Sequence, residues 1–76
     1  MKPKLSVDCV GMHCPVPLTR AQEALQKLAV GEVLEIVADD EEILEDMPAW
    51  CRITGNEYLG HRREGGIIKV YIRRKA

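Results

Sequence analysis

A cysteine followed by a Pro-x-Pro step is the part of this chain best suited to chemistry. Cys14 precedes Pro15, Val16 and Pro17, and an amphipathic pattern starts there. Proline is tolerated where a main-chain N–H has no partner inside the helix, so we interpret Cys14 as the N-cap and the next three residues as the first helical positions. Unpaired N–H groups and the helix dipole favour the thiolate, the reactive form of cysteine. This position therefore predicts a nucleophilic thiol.

A helix start is expected to lower the pKa of such a thiol only modestly. A terminal dipole contributes roughly 0.3–1 kcal/mol, whereas one pKa unit corresponds to about 1.4 kcal/mol. Proline at the third position removes one donor, which leaves the N–H of Val16 to face the sulfur. We expect a partly ionised thiol. We assign no general base, because the position of His13 next to Cys14 in sequence does not establish contact.

The lack of a second cysteine in the motif decides between kinds of thiol chemistry. A dithiol oxidoreductase has a resolving cysteine three residues after the first, and Pro17 stands at that position. Cys14 is therefore suited to accept a group from one partner and pass it to another, as with a persulfide, R–S–S⁻. Two alternatives stay open: Cys14 is a small buried hydrophobic residue, or it forms a reversible disulfide with Cys9 if the two come within reach.

Residues near the motif have more limited roles. Pro15, Val16 and Pro17 are expected to hold the carried sulfur in place, and Arg20 either attracts an anionic persulfide or a partner or is an exposed helix arginine. Cys9, Cys51 and Trp50 fall on predicted apolar faces and are expected in the core or a groove. The chain also has four candidate metal ligands: Cys9, His13, Cys14 and His61. Their spacing does not fit a structural zinc site, so we predict neither a metal nor another cofactor.

Hydrophobic periodicity predicts six elements in the order βαβαββ. They are a strand over 5–9, a helix from Pro15 to Gly31, a strand over 32–38, a helix from Asp39 or Asp40 to Gly55-Asn56, and strands over 57–63 and 67–73.

We predict Asp39 as the N-cap of the second helix in a capping box with Glu42, a kink or restart at Pro48, and fraying of the last four residues. Each helix has one apolar stripe, so both are expected on one face of a four-stranded mixed sheet. This is an α+β, two-layer sandwich, and we expect one domain over 1–76.

Composition and charge narrow the class of protein. The 76 residues are 46% hydrophobic and 30% charged, with a net charge of −1, as in an ordinary globular domain. No apolar stretch reaches the length of a signal peptide core or a membrane span. Three cysteines without a disulfide framework favour a reducing compartment, so we expect a cytoplasmic protein, and we expect a monomer. Nucleic-acid binding is disfavoured, because the chain is not basic and has few aromatic residues.

The small net charge conceals two oppositely charged regions. The acidic block comprises Asp39, Asp40, Glu41, Glu42, Glu45 and Asp46. The basic runs comprise Arg62, Arg63, Arg73, Arg74 and Lys75. They are either two solvated faces or surfaces that dock protein partners by charge complementarity.

The segment Asp8-x-x-Gly11-x-x-Cys14-Pro15-x-Pro17 resembles the signature of the TusA-like (SirA/YedF) sulfur-carrier family. The resemblance covers nearly the whole chain and includes Gly31-Glu32, Ala38-Asp39-Asp40, Asp46-x-Pro48-x-x-Cys51 and Gly55 before a hydrophobic strand. It implies a small cytoplasmic protein that carries persulfide sulfur on Cys14. It also implies donors that are cysteine desulfurases or rhodanese-type proteins, and acceptors in tRNA thiolation, molybdenum-cofactor maturation or sulfur oxidation. Some members are linked to selenium metabolism.

Three positions depart from the family pattern. Asn56 stands where many members have histidine, Glu41 stands where proline often follows the two aspartates, and Cys9 is an additional thiol. None of them is Cys14, so a carrier role is still expected. The competing hypothesis is a non-enzymatic regulatory or docking module in which Cys14 is structural or acts as a redox switch.

Overall fold

The predicted element order is confirmed. The computed structural model describes residues 2–13 and 16–76, so the predictions that place Cys14 at an N-cap and Pro15 at the first helical position lie outside the described residues. The elements are β1 (Leu5–Asp8), α1 (Val16–Leu25), β2 (Val33–Ala38), α2 (Ile43–Thr54), β3 (Glu57–Glu64) and β4 (Ile67–Arg73). They form an α+β sandwich of one mixed sheet and two helices.

The four strands lie in the order β1-β2-β4-β3. β1 pairs in parallel with β2, and β4 is antiparallel to both β2 and β3. Because β1 and β2 are parallel neighbours, their carboxyl ends lie at the same edge of the sheet. The segments that follow them, residues 9–13 and 39–42, therefore emerge side by side, which is the arrangement in which α/β folds commonly build their sites.

The core lies between the helices and one face of the sheet. Alternation along β2 buries Leu34, Ile36 and Ala38 on that face, as expected for a strand with one packed side. On the opposite face, Glu35 accepts hydrogen bonds from the hydroxyls of Ser6 (2.7 Å) and Tyr71 (2.9 Å). No helix among the described residues is long and apolar enough to cross a membrane.

The first helix is shorter than its apolar stripe predicts. α1 ends at Leu25, although Leu28 is still buried in the core. The chain continues in tighter i→i−3 turns, with the N–H of Leu28 donating to the carbonyl of Leu25 at 3.1 Å. The guanidinium of Arg74 donates to the carbonyl oxygens of Leu25 (3.0 Å) and Leu28. It thereby supplies partners to carbonyls that a helix end leaves unpaired.

The predicted fraying of the last four residues is wrong. The N–H of Arg74 donates to the carbonyl of Glu32 at 3.0 Å, and its carbonyl accepts from the N–H of Gly31 at 2.7 Å. The side-chain oxygen of Asn56 accepts from the N–H of Lys75 at 3.0 Å. Main-chain pairing thus continues beyond β4, because the turn before β2 and the segment after α2 both supply partners.

The second helix differs from the prediction at its start and at its proline. It begins at Ile43, its N-cap Glu42 makes no side-chain cap hydrogen bond, and it runs unbroken through Pro48. The predicted capping box of Asp39 with Glu42 is therefore wrong. Of the two alternatives predicted at Pro48, a kink or a restart, the restart is wrong because the helix is continuous there. The helix ends as predicted, with Gly55 in the left-handed conformation (φ +81°) and its N–H donating to Cys51 O at 2.9 Å.

Candidate functional site

The approach loop, residues 9–13, connects β1 to the Cys-Pro-x-Pro motif. It begins at Cys9, whose N–H donates to the carbonyl of Val37 in β2 at 2.6 Å. The N–H of Val10 then donates to Asp8 Oδ1 at 3.0 Å, and the N–H of Met12 donates to the carbonyl of Cys9 at 3.0 Å. These bonds fold the loop into a compact turn against the sheet. They fix the direction in which the chain enters the motif.

The aspartate that follows β2 holds the middle of this loop. Asp39 Oδ1 accepts from the N–H of Gly11 at 3.0 Å. Gly11 has φ +81°, and a Cβ built there would meet no atom within 4 Å. Glycine is therefore required by the backbone conformation, which costs other residues about 1–2 kcal/mol, and not by lack of space. The Asp39 carboxylate therefore bonds to the approach loop, whereas α2 begins only at Ile43.

The next aspartate links the end of the loop to α2. Asp40 Oδ2 lies 3.1 Å from His13 Nδ1, and its Oδ1 accepts from the N–H of Glu42 at 3.0 Å. The Asp40 carbonyl accepts from the N–H of Ile43 at 3.2 Å. The hydrogen bond from Glu42, followed by that from His13, lowers the pKa of Asp40. The carboxylate therefore stays ionised and keeps accepting from both neighbours.

The amide that was predicted to face the sulfur has another acceptor. The N–H of Val16 donates to the carbonyl of His13 at 2.9 Å. This bond engages the amide proton that the sequence-based interpretation reserved for Cys14. The predicted contact between this amide and the Cys14 sulfur involves an atom outside the described residues, so it stays a prediction.

Apolar side chains flank the motif on both sides. Val10 is 43% exposed in the approach loop, and Val16 is 44% exposed at the first residue of α1. Pro17 is buried and lines a cleft between the starts of the two helices. This acidic cleft is lined by Pro17, Leu18, Asp40, Glu42, Ile43 and Asp46. Exposed valines therefore lie on either side of the motif, and three acidic residues contribute to the lining of the cleft beside Pro17.

Arg20 belongs to a different groove. It is exposed on α1 and lines a groove against β1 together with Asp8 and Glu23. Burial raises the pKa of Cys9, and the charge of Arg20 partly opposes this effect. The structure thus brings Arg20 towards the end of β1, whereas Pro17 faces α2. Arg20 and Pro17 were both predicted to contact the carried sulfur, but they lie in separate grooves.

The two described cysteines are core residues, as predicted. Cys9 and Cys51 are 0% and 1% exposed, and both are free thiols. Burial raises the pKa of Cys51 to about 11. A buried thiol with a raised pKa is a poor nucleophile. Over residues 2–13 and 16–76, no three His, Cys, Asp or Glu side chains cluster as a metal site would require.

Several side chains of the acidic block and the basic runs form ion pairs or hydrogen bonds within the molecule. Arg63 of β3 makes a bidentate contact with Glu41, at 2.5 and 2.6 Å. Arg73 lies 3.2 Å from Glu57, and the guanidinium of Arg74 is engaged with the end of α1. The basic runs therefore contribute less to a partner surface than the sequence suggests. Asp40, Glu42 and Asp46 remain together along the acidic cleft.

Sequence reasoning missed the contacts that Asp39 and Asp40 make with the approach loop. The acidic pair was interpreted as the start of a helix, because acids are common in a first turn. A usable signal was present: both segments follow strands that are parallel neighbours, and such segments meet at one sheet edge. The pairing of individual atoms has no sequence signal.

Three known proteins are similar to this chain in sequence or in structure. The chain is 39% identical over 74 residues to Bacillus subtilis YrkF, which covers 97% of this chain but only 40% of that longer protein. It is 35% identical over 71 residues to the sulfur carrier protein TusA of Pseudomonas entomophila, covering 93% of this chain and 89% of that one. A SirA-like protein from Desulfitobacterium hafniense has a similar crystal structure, with a TM-score of 0.75, 28% identity, and coverage of 95% and 99% of the two chains.

The family assignment follows from the extent of the match. The family model for Sulfurtransferase TusA matches residues 5–74, a range that spans all six elements and both loops at the sheet edge. We conclude that this chain belongs to the TusA sulfurtransferase family.

Proposed function

We propose that this protein is a sulfur carrier that accepts sulfane sulfur as a persulfide on Cys14 and passes it to a partner protein. Membership of the TusA family supports a role in sulfur relay. The observation that carries the choice of residue is the burial of the other two thiols. The chain has three cysteines, and Cys9 and Cys51 are sealed in the core with raised pKa values. Cys14 is the thiol left for exchange.

The chemistry of loading requires only thiol–persulfide exchange. The Cys14 thiolate attacks the terminal sulfur of a donor persulfide, R–S–SH. A new S–S bond forms on Cys14, the donor S–S bond breaks, and the electron pair stays on the donor sulfur as R–S⁻. Delivery is the same reaction in reverse with an acceptor thiol. The exchange follows the rules of thiolate attack on a sulfur–sulfur bond and needs no external oxidant.

The surroundings of the motif suit a surface that meets protein partners in turn. Val10 and Val16 expose apolar side chains on either side of the motif, and the acidic cleft lies next to Pro17. Apolar anchors with a charged border are typical of transient interfaces. We assign the donor as a cysteine desulfurase or rhodanese-type protein, and the acceptor as a component of tRNA thiolation, molybdenum-cofactor or sulfur-oxidation chemistry. Free core thiols fit a reducing compartment such as the cytoplasm.

The test is sulfur loading followed by delivery. The protein is incubated with a cysteine desulfurase, pyridoxal phosphate and cysteine labelled with radioactive sulfur, and the label is then chased into an acceptor protein. We expect wild type and Cys51→Ala to acquire and deliver label, and Cys14→Ser to do neither. A Cys14→Ser protein that is labelled as well as wild type would refute the assignment.

The alternative is a docking module in which Cys14 has no sulfur chemistry. Its motivation is the acidic cleft, which offers charge for a partner without involving the thiol. The same variants separate the two. Partner capture that is unaffected by Cys14→Ser, together with a Cys14 thiol inert to alkylation at neutral pH, would support the docking module and contradict the carrier.

A further inference from the structure

We infer that two copies of this chain associate through the free edge of β1, with the two β1 strands antiparallel, so that their sheets become continuous. This assembly goes beyond the proposed function and does not depend on sulfur chemistry at Cys14. It departs from the monomer expected from the sequence. Three observations carry it: an open strand edge, incompletely covered apolar side chains and a charge pattern that is complementary to itself.

The outer edge of β1 has main-chain groups available for pairing. The strand order β1-β2-β4-β3 gives β1 a neighbour on one side only among the described residues. The N–H of Cys9 donates to the carbonyl of Val37 at 2.6 Å, and Val37 lies opposite Asp8 in the register. Because alternate residues of a strand direct their main-chain groups to the same neighbour, Val7 also faces β2. Ser6 and Asp8 direct their N–H and carbonyl groups away from it, where another strand can pair with them.

The opposite edge of the sheet, by contrast, is protected. β3 has an irregular register between Tyr58 and Gly60, and its residues 61–64 are exposed and polar. Bulges and charged side chains are common devices against pairing between sheet edges. β1 instead keeps an unbroken register with β2 from Leu5 to Asp8. We therefore expect association at β1, and a strand of four residues makes the dimer weak.

Apolar side chains beside the free edge are only partly covered. Leu5 and Val7 lie opposite Leu34 and Ile36 of β2 and face the helices with them. Leu34 and Ile36 are 0% exposed, whereas Leu5 and Val7 are half-buried. They line a groove of about 850 Å³ between β1 and α1, together with Ala24. A second β1 strand would place its own leucine and valine against these side chains, and burial of apolar area favours association.

The residues of β1 are complementary to themselves when two copies run antiparallel. Pairing Ser6 of one copy with Ser6 of the other puts Leu5 opposite Val7 and Lys4 opposite Asp8, each twice. Lys4 and Asp8 are both exposed, and opposite charges across an antiparallel pair are stabilising. A register shifted by two residues loses both ionic pairs. This charge complementarity identifies a second copy of the chain as the occupant of the edge.

The charges that line the groove do not oppose this arrangement. Arg20, Glu23 and Lys27 of α1 line it together with Asp8 of β1. Glu23 stands three residues after Arg20 and four before Lys27, so all three share one helix face and the anion has a cation on either side. Two positive and two negative side chains balance. A groove without net charge does not select a strongly acidic or basic peptide, and two copies of it do not repel each other.

The first test is the mass of the wild-type protein in solution, with reductant present to exclude disulfide-linked dimers. Sedimentation equilibrium between about 10 µM and about 1 mM should show a weight-average mass that rises with concentration, as mass action requires. The mass should start at 8.6 kDa and approach twice that value. A mass that stays at 8.6 kDa over the whole range overturns the inference.

Variants of the strand test the edge and the charges. Ser6→Pro removes the outward N–H and should abolish the dimer, whereas Ser6→Ala keeps that N–H and should still form it. Lys4→Glu turns both attractive pairs into repulsive ones and should raise the dissociation constant about tenfold. Lys2→Glu makes the same charge change at an exposed residue outside β1 and should leave the constant unchanged. Circular dichroism checks that each variant folds. A dimer that survives both Ser6→Pro and Lys4→Glu contradicts the inference.

Cross-linking tests the register in a Cys14→Ser background, in which the other two cysteines are buried. Ser6→Cys should form a disulfide-linked dimer on mild oxidation, because directly opposite residues have Cα atoms about 4.5–5.5 Å apart, within the span of a disulfide. Lys4→Cys is the control, since the two copies of residue 4 would lie four residues apart along the strands, about 14 Å, which is too far. A Ser6→Cys protein that links no better than Lys4→Cys overturns the proposed pairing.

Discussion

His13 Nδ1 lies 3.1 Å from Asp40 Oδ2, and this contact joins the approach loop to the first turn of α2. The two residues are 27 positions apart in sequence. They meet because β1 and β2 are parallel and end at the same sheet edge. The residue directly before the motif is therefore linked to a second segment of the chain.

The first prediction concerns the backbone of the approach loop. Gly11→Ala should destabilise the fold by about 1–2 kcal/mol, since φ +81° is unfavourable for any residue with a Cβ. The measurement is urea unfolding followed by circular dichroism. Gly66→Ala is the matched control, because Gly66 has no positive φ and its Cβ would meet nothing within 4 Å. Equal stability of the Gly11 and Gly66 variants would contradict the assigned loop conformation.

The second prediction concerns the ionisation of Asp40. Hydrogen bonds from the Glu42 N–H and from His13 lower its pKa, so its carboxyl should titrate below the ordinary value of about 3.9 in ¹³C NMR. A lowered pKa means stability that is present above the unfolded value and is lost as pH falls through the folded value. The stability difference between wild type and Asp40→Asn should therefore shrink on acidification below about pH 4, where this carboxyl becomes protonated. A difference that grows as the pH falls through that range would be inconsistent with this sign.

The third prediction concerns the two core thiols. With a pKa of about 11, Cys51 is a thiolate in about one molecule per thousand at pH 8, and burial adds a steric barrier. Iodoacetamide should therefore add one group to the native protein at neutral pH and three after unfolding in urea. Intact mass follows both reactions. Rapid addition of two or three groups to the native protein would show that Cys9 or Cys51 is accessible.

The fourth prediction concerns the carboxyl-terminal segment. Arg74→Met should destabilise the protein by roughly 1.5–3 kcal/mol, as expected for losing hydrogen bonds from a charged group to the carbonyls of Leu25 and Leu28. Thermal or urea unfolding measures it. Arg52→Met is the control, because Arg52 is exposed in the last turn of α2, and surface changes usually stay within about 0.5 kcal/mol. An equally stable Arg74 variant would show that this cap is dispensable.

The elements could be predicted from the sequence where one periodicity dominates. The stripe of Ala21, Leu25 and Leu28 and the alternation of Ile68, Val70 and Ile72 determine a helix and a strand, and all six residues are buried. Element ends were less predictable, because their partners are distant in sequence. α1 stops early where Arg74 can reach its carbonyls, and the chain end is ordered by Asn56 and Glu32.

The site was predictable only in part. The Cys-Pro-x-Pro motif and the core positions of Cys9 and Cys51 follow from residue type and spacing. The roles of Asp39 and Asp40 do not, because an acidic pair before a helix has a sufficient local explanation as a cap. Only the sheet edge shared by β1 and β2 brings these carboxylates to Gly11 and His13.

The most direct test of the central claim is to locate the sulfur after loading. Protein treated with a desulfurase and cysteine is digested with trypsin without reductant, which releases residues 5–20 with Cys9 and Cys14, and residues 28–52 with Cys51. Tandem mass spectrometry should place an addition of about 32 Da per sulfur, a persulfide, on Cys14. The same addition on Cys9 or Cys51, with Cys14 unmodified, would contradict the account.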